Sequence, residues 1–96
     1  MGFQGISDRI LQDLVKKFFD LCELKLPFNK ITKVGLEALL SLKNLKLLDL
    51  SGSVLNDGFE LIAQLTELHT LDLSSCRIKE TALQAFTTLK ELRFYP

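Results

Sequence analysis

The sequence predicts an α/β fold, a right-handed coil of repeats in which a short parallel sheet lies on one side and helices cover the convex side. The first observation is an apolar phrase that begins at Leu21, at Leu45 and again at Leu68. Every copy has leucine at its first, fourth and sixth positions, then Asn, Ser or Cys at the ninth and Ile or Leu at the eleventh. The second observation is that the apolar spacing changes within each copy from two residues to three or four. One strand, one tight turn and one returning helix per copy explain both observations.

The strands are predicted at about residues 22–27, 46–51 and 69–74, where leucines alternate with other residues. Successive side chains of a strand point to opposite faces, so one pair of leucines per strand points into the core. These pairs are Leu24 and Leu26, Leu48 and Leu50, and Leu71 and Leu73. A fourth copy is predicted to begin at Leu92, 24 residues after Leu68, and to continue to Tyr95.

Helices are predicted at about residues 8–19, 34–43, 57–66 and 80–88, where apolar residues recur every three or four positions. Leu36, Leu39 and Leu42 form such a stripe in the second helix. Ser7 or Asp8 can cap the first helix, which would be the second half of a preceding repeat.

The chain is expected to form one domain, residues 1–96, because its composition is globular and no linker or low-complexity segment divides it. It contains 47% hydrophobic and 25% charged residues. We divide it into a half repeat 1–20, the repeats 21–44, 45–67 and 68–91, and a truncated repeat 92–96. No apolar stretch approaches the roughly 20 residues that span a bilayer, so no membrane partner is expected.

From about Ile6 to Tyr95 the chain resembles leucine-rich-repeat proteins, because the three phrases are in phase. The tail Ile31-Thr-Lys-Val-Gly-Leu-Glu-Ala-Leu and the run Leu71-Asp-Leu-Ser-Ser-Cys76 are similar to the cysteine-containing and GALA-like subclasses. The resemblance implies a curved leucine-rich-repeat solenoid that has its sheet on the concave side and binds proteins there. It also implies that Asn29 is buried and bonds backbone groups of adjacent turns. Ser53 can fill part of that role, whereas Cys76 is expected mainly to fill space.

The partner-binding residues are expected on the strands, between the core leucines. The predicted alignment puts Glu23, Leu47, Thr70 and Phe94 in one row, and Lys25, Asp49 and Asp72 in the next. Leu47 and Phe94 would be the exposed apolar contacts, and Phe28 would extend their patch. The charged row would set selectivity. Alternatively, these are the scattered apolar residues that any protein surface carries.

The cysteines and the single histidine do not predict a chemical site. Two repeats separate Cys22 from Cys76 by roughly 10 Å, whereas a disulfide needs Cα atoms within about 7 Å, so two free thiols are expected. His69 has no Cys or His partner at ligand spacing, and it lies on the other side of a strand from Cys76. We therefore predict no enzyme activity, no catalytic residue, no cofactor and no metal.

The charge and the N-terminus narrow the expected partners and location. The net charge is zero at pH 7, and no basic face with stacking aromatics is present, so a nucleic-acid partner is not expected. The N-terminus lacks the basic and apolar regions of a secretion signal. Together with the free thiols, this predicts an intracellular protein, cytoplasmic or nuclear.

The predicted function is a non-enzymatic protein–protein interaction module, part of a longer repeat protein, whose partner is a protein of unknown identity. The alternative is a structural unit that assembles with itself by stacking its open ends. Lysines dominate between residues 25 and 46 and acids between residues 49 and 72, which suits head-to-tail association, although attraction between neighbouring layers explains the same pattern. An exposed apolar C-terminal end, from Leu89 to Tyr95, would favour self-association.

Overall fold

The computed structural model describes residues 5–53 and 58–76 in full and the backbone of residues 91–93. Its helices are α1 (Asp8–Lys17), α2 (Lys33–Leu39) and α3 (Phe59–Ile62). Its strands are β1 (Glu23–Lys25), β2 (Leu47–Asp49), β3 (Thr70–Asp72) and β4 (Glu91–Arg93). Helices and strands alternate along the described chain up to β3. Among the described residues no helix is long and apolar enough to cross a membrane.

The four strands form one parallel sheet in the order β1, β2, β3, β4. Leu24 pairs with Leu48, and Leu48 pairs with Leu71, so the predicted parallel pairing of the three repeats is confirmed. Each strand is only three residues long. Hydrogen bonds continue past the strand ends, because the Leu26 N–H donates to the Asp49 carbonyl at 2.7 Å and the Phe28 N–H to the Ser51 carbonyl at 2.8 Å.

The fourth strand corrects the predicted alignment. Glu91, and not Phe94, pairs with Thr70, and Leu92 pairs with Leu71. The reason is the length of the repeat: Leu92 follows Leu71 by 21 residues, whereas Leu71 follows Leu48 by 23. Phe94 itself lies outside the described residues.

The core lies between the strands and the helices. The middle leucine of each of the first three strands, Leu24, Leu48 and Leu71, is completely buried. The stripe of α2 and the turn after it, Leu36, Leu39, Leu42 and Leu45, is at most 1% exposed. One continuous cluster of buried side chains joins these layers and extends to Leu11, Leu14 and Val15 of α1.

The helices are shorter than predicted. α1 ends at Lys17, because Phe18 leaves the helical conformation at φ −119° and ψ 53°. After α2 the chain continues through hydrogen bonds three residues apart, from the Leu42 N–H to the Leu39 carbonyl and from the Leu45 N–H to the Leu42 carbonyl. Such tight turns bring every third residue to one side, which explains the apolar spacing that predicted a longer helix. The helix predicted at residues 80–88 lies outside the described residues.

Side chains in the turns after the strands join neighbouring repeats. The Ser53 hydroxyl donates to the Leu26 carbonyl of the preceding repeat at 3.1 Å and accepts from the Asn29 N–H at 3.3 Å. The Cys76 thiol donates to the Leu50 carbonyl at 2.9 Å. All three turn residues are buried. Cys76 therefore serves as a hydrogen-bond donor in the same place as Ser53, in addition to filling space.

The first layer is joined to the second at two points. The Ile6 N–H donates to Asn29 Oδ1 at 2.8 Å, as the buried position of Asn29 led us to expect. At the helix starts, the Asp8 carboxylate accepts from the Thr32 N–H at 2.9 Å and from the Thr32 hydroxyl. Thr32 is the N-cap of α2, so the start of α1 holds the start of α2.

Both cysteines are free thiols, as predicted; Cys22 is exposed and Cys76 is buried. Burial raises the pKa of the Cys76 thiol, although hydrogen bonds from backbone groups of Ser53 and Gly52 act against this. The thiol therefore remains protonated at neutral pH and is a structural group.

Candidate functional site

The outward residues of the first three strands form a surface that the core does not use. We define this strand face as Glu23, Lys25, Leu47, Asp49, Thr70 and Asp72. Each strand completely buries its middle leucine, and the residues on either side of that leucine point away from the core. Glu23 and Lys25 are exposed, while the four outward residues of β2 and β3 are half-buried.

The first row of the strand face contains its apolar residue. Glu23 pairs with Leu47, and Leu47 pairs with Thr70. Leu47 is half-buried, so it is less exposed than the sequence suggested but still offers apolar surface. By register, Glu91 continues this row where Phe94 was predicted.

The second row consists of Lys25, Asp49 and Asp72, and its acids also have a structural task. Asp49 Oδ1 accepts from the Ser51 N–H at 2.8 Å. Asp72 Oδ1 accepts from the Ser74 N–H at 2.9 Å and from the Ser74 hydroxyl at 2.5 Å. An aspartate that accepts from the N–H two residues later fixes a turn. These two carboxylates therefore hold the chain as it leaves each strand, in addition to lining the surface.

The first repeat departs from this turn pattern in a consistent way. Pro27 occupies the position of Ser51 and Ser74, and proline has no N–H that could donate a hydrogen bond to a carboxylate. The position two residues before Pro27 therefore does not need an aspartate. It is occupied by Lys25, which is exposed. Within the second row, Lys25 is thus the charged group without this turn-forming role.

Phe28 is the most exposed large apolar side chain among the described residues, at 78%. Its backbone lies in the left-handed region at φ 57°. The equivalent residues of the next two repeats, Gly52 and Ser75, have φ values of 67° and 62°, so every turn needs this conformation. It costs an L-residue about 1–2 kcal/mol relative to the right-handed region. Glycine avoids that cost, whereas Phe28 bears it without burying its ring.

The Phe28 ring lies across Gly52 of the next repeat. A Cβ atom placed on Gly52 would come within 2.5 Å of the Phe28 Cδ1 atom and 3.0 Å of its Cζ atom. Atoms at such distances overlap, so only glycine at position 52 leaves room for the ring. One side of the ring is thereby supported by backbone, and the remainder faces solvent.

The sequence interpretation missed a second group of exposed apolar side chains, which lies on the helix side. Phe19 is 61% exposed, Ile10 is 47% exposed and Phe18 is 41% exposed, all on or just after α1, and Val34 of α2 is 50% exposed. The helical pattern of α1 could have revealed Ile10, because Leu11, Leu14 and Val15 already fill the buried side of that helix. They lie apart from the strand face.

The described part of the chain offers no arrangement for metal binding. Among residues 5–53 and 58–76, no three His, Cys, Asp or Glu side chains are grouped so that they could hold a metal ion. The charged residues Lys25, Asp49 and Asp72 of the strand face are paired in register on neighbouring strands. The outward side chains form rows that extend across the first three strands.

Comparison with known proteins identifies a family and a relative. The family model described as leucine rich repeat matches residues 19–78. Tubulin-folding cofactor E of Arabidopsis thaliana is 34% identical over 98 aligned residues. That alignment covers 97% of this chain and 18% of the relative, so the chain spans about a fifth of the relative's length.

Proposed function

Because the chain belongs to the leucine-rich-repeat family, we propose that it is a non-enzymatic module that binds a partner protein through its strand face. A leucine-rich-repeat domain is a protein-interaction module. The finer proposal concerns the surface used, which consists of the strand face and Phe28 at its edge. By register, the outward positions continue toward β4. Phe94, the remaining predicted contact, lies outside the described residues, and the register of β4 gives its predicted place to Glu91.

One observation carries the choice of this surface. Each of the first three strands buries its middle leucine completely, and the strands are in register, so their outward side chains form continuous rows across the sheet. These side chains are not required for the core. An apolar residue, Leu47, lies in the middle of such a row between Glu23 and Thr70. An apolar centre with a polar rim is typical of protein interfaces.

We propose tubulin as the first partner to test. The support is the relative, whose name describes a cofactor for tubulin folding and which aligns along nearly the whole of this chain. Since the chain spans only a fifth of that protein, the module would supply one of several contacts in a longer protein. We place it inside the cell, in the cytoplasm or the nucleus, as the two free thiols suggest.

The proposed architecture is a right-handed solenoid whose strands line the concave side. Parallel strands joined by helical crossovers are almost always right-handed, and the sheet order follows the chain order. We retain one domain, residues 1–96, with repeats 21–44, 45–67 and 68–91 between partial repeats. In this arrangement the strand face would be the inner wall of a curve that surrounds part of a partner.

The alternative function is self-assembly by stacking of open ends, which would require a further layer to approach as closely as the described layers do. Gly35 is three residues after the N-cap of α2, and a Cβ there would meet the Asp8 carboxylate of the preceding layer. Gly58, just before α3, likewise approaches Lys33 and Leu36. The residue three positions after the N-cap of α1 is Ile10 instead. A side chain at this offset does not prevent stacking, because α3 packs on α2 with Leu61 three residues after its N-cap Gly58.

Cross-linking to purified tubulin tests the proposed surface. The intact chain is mixed with tubulin and treated with a lysine-reactive cross-linker, and the linked peptides are identified by mass spectrometry. We expect links from Lys25, on the strand face, and few from Lys33, at the start of α2. Both lysines are exposed, so reactivity alone does not favour either. Links confined to Lys33 and the other helix lysines would contradict the strand-face proposal, and an absence of links would contradict tubulin as the partner.

A further inference from the structure

We propose that the Phe28 ring, supported by Gly52 and flanked by Lys25 and Lys30, is an anchor that docks an acidic segment of a protein partner through an apolar side chain of that segment. This inference rests on the proposed function, since it specifies the chemistry of the partner that binds at the edge of the strand face. The central residue is Phe28, because its large side chain is unfavourable for the fold at the position it occupies.

The first observation is the backbone conformation of Phe28. Phe28, Gly52 and Ser75 occupy the same position in three successive turns, and all three have positive φ. That conformation suits glycine and small polar residues, whereas a bulky side chain is a rare occupant. Burial does not offset the strain, because 78% of Phe28 remains exposed. Strained residues of this kind concentrate at ligand clamps and switch regions.

The second observation is the position of the Phe28 ring. Phe28 donates its N–H to the Ser51 carbonyl at 2.8 Å, and its ring lies across Gly52. The backbone of one repeat is thereby fixed to the next, and one side of the ring rests against Gly52 before a partner arrives. Large aromatic groups that are already ordered are the usual anchors of protein interfaces.

Charge defines the partner. The segment from Lys25 to Lys30 contains two lysines and no acid, and both lysines are exposed. The nearest acid of the second row, Asp49, is the register partner of Lys25 and accepts from the Ser51 N–H, and the two lysines outnumber it. A segment that places an aromatic or aliphatic side chain against Phe28 would therefore gain most from Asp or Glu on either side.

Selection from a phage-displayed library of short random peptides on the immobilised intact chain tests the proposal. We expect the enriched peptides to combine an apolar residue with neighbouring Asp or Glu. Phe28→Asn should weaken their binding at least about tenfold. Lys25→Glu combined with Lys30→Glu should also weaken it, and high salt should weaken binding to the parent. The matched control is Phe19→Asn, which removes another exposed phenylalanine, 61% exposed, and should leave peptide affinity unchanged.

Stability measurements make the test specific. Asparagine accepts the left-handed conformation, so Phe28→Asn should unfold at the same urea concentration as the parent or a higher one. A lower midpoint would mean that the ring serves the fold and would overturn the proposal. The proposal would also be overturned if the selection enriched no peptide, if the enriched peptides lacked acids, or if they bound Phe28→Asn as tightly as the parent. Peptides that require Phe28 would support the anchor whether or not they bind Leu47→Ser, and tubulin that binds Leu47→Ser as tightly as the parent would contradict the strand face alone.

Discussion

Replacement of Ser53 by alanine should remove hydrogen bonds between two neighbouring repeats without leaving a large cavity. The Ser53 hydroxyl donates to the Leu26 carbonyl at 3.1 Å and accepts from the Asn29 N–H at 3.3 Å. The residue is 3% exposed, so water does not readily replace the hydroxyl. Alanine removes both hydrogen bonds at once.

The magnitude follows from those two contacts. A buried polar group that loses its partner costs about 1–3 kcal/mol. The Leu26 carbonyl should account for most of the loss, because the bond to the Asn29 N–H is longer and Asn29 has a further interaction. We expect Ser53→Ala to lower the free energy of unfolding by about 2–4 kcal/mol. That is a large part of the roughly 5–14 kcal/mol typical of a domain of this size.

Urea unfolding followed by circular dichroism measures the effect. The matched control is Ser53→Cys, because Cys76 donates to the Leu50 carbonyl from the equivalent turn. The control should lose less than about 1 kcal/mol, whereas Ser53→Ala should also lower the melting temperature by more than about 8 °C. If Ser53→Ala is as stable as the parent, the hydroxyl does not join the repeats and the reasoning is refuted.

Two further predictions concern the core. Leu48→Ala should cost about 2–5 kcal/mol in urea unfolding, because Leu48 is fully buried between repeats; a loss below about 1 kcal/mol would place it outside the core. Burial raises the pKa of the Cys76 thiol above its ordinary value of 9.0, so the unfolded chain loses this proton at lower pH than the folded one. The contribution of this thiol to the free energy of unfolding should be fully present below about pH 9. Above that pH it should decrease by at most about 1.4 kcal/mol per pH unit. Urea midpoints that fall equally with pH in the parent and in Cys76→Ser would contradict this.

The leucine spacing was sufficient to predict the core and the parallel pairing of the first three strands. A strand period of two identified Leu24, Leu48 and Leu71 as buried, and all three are. The alignment of the three leucine phrases identified their register, although the first two repeats differ by one residue in length. This succeeded because a slip of one residue would have turned each leucine toward solvent.

The fourth strand shows where the same reasoning reaches its limit. Leu92 fits the first position of the repeated phrase, but in the run Leu89-x-x-Leu92-x-Phe94 it also fits the fourth. The pairing of Leu92 with Leu71 corresponds to the second choice. The alignment that begins at Leu92 keeps the repeat length of 24 residues, whereas the alignment that begins at Leu89 places more apolar residues in the phrase. The sequence pattern does not decide between these two criteria.

The candidate site was only partly predictable. The outward strand positions follow from alternation, but the backbone conformation of Phe28 does not follow from its own identity. Its signal was indirect, because Gly52 stands at the equivalent position and glycine there indicates a positive φ. The turn-forming role of Asp49 was visible as an Asp with Ser51 two residues later, a pattern repeated at Asp72.

The most direct test of the central claim compares one outward apolar residue on each side of the molecule for tubulin binding. Leu47→Ser alters the strand face, and Val34→Ser alters α2, where Val34 is 50% exposed. Both variants should keep the urea midpoint of the parent within about 0.5 kcal/mol in unfolding free energy. We predict that Leu47→Ser weakens tubulin binding at least about tenfold while Val34→Ser binds as the parent does. Equal binding by the parent and Leu47→Ser, loss of binding in Val34→Ser alone, or no binding of tubulin to the parent chain would contradict the account.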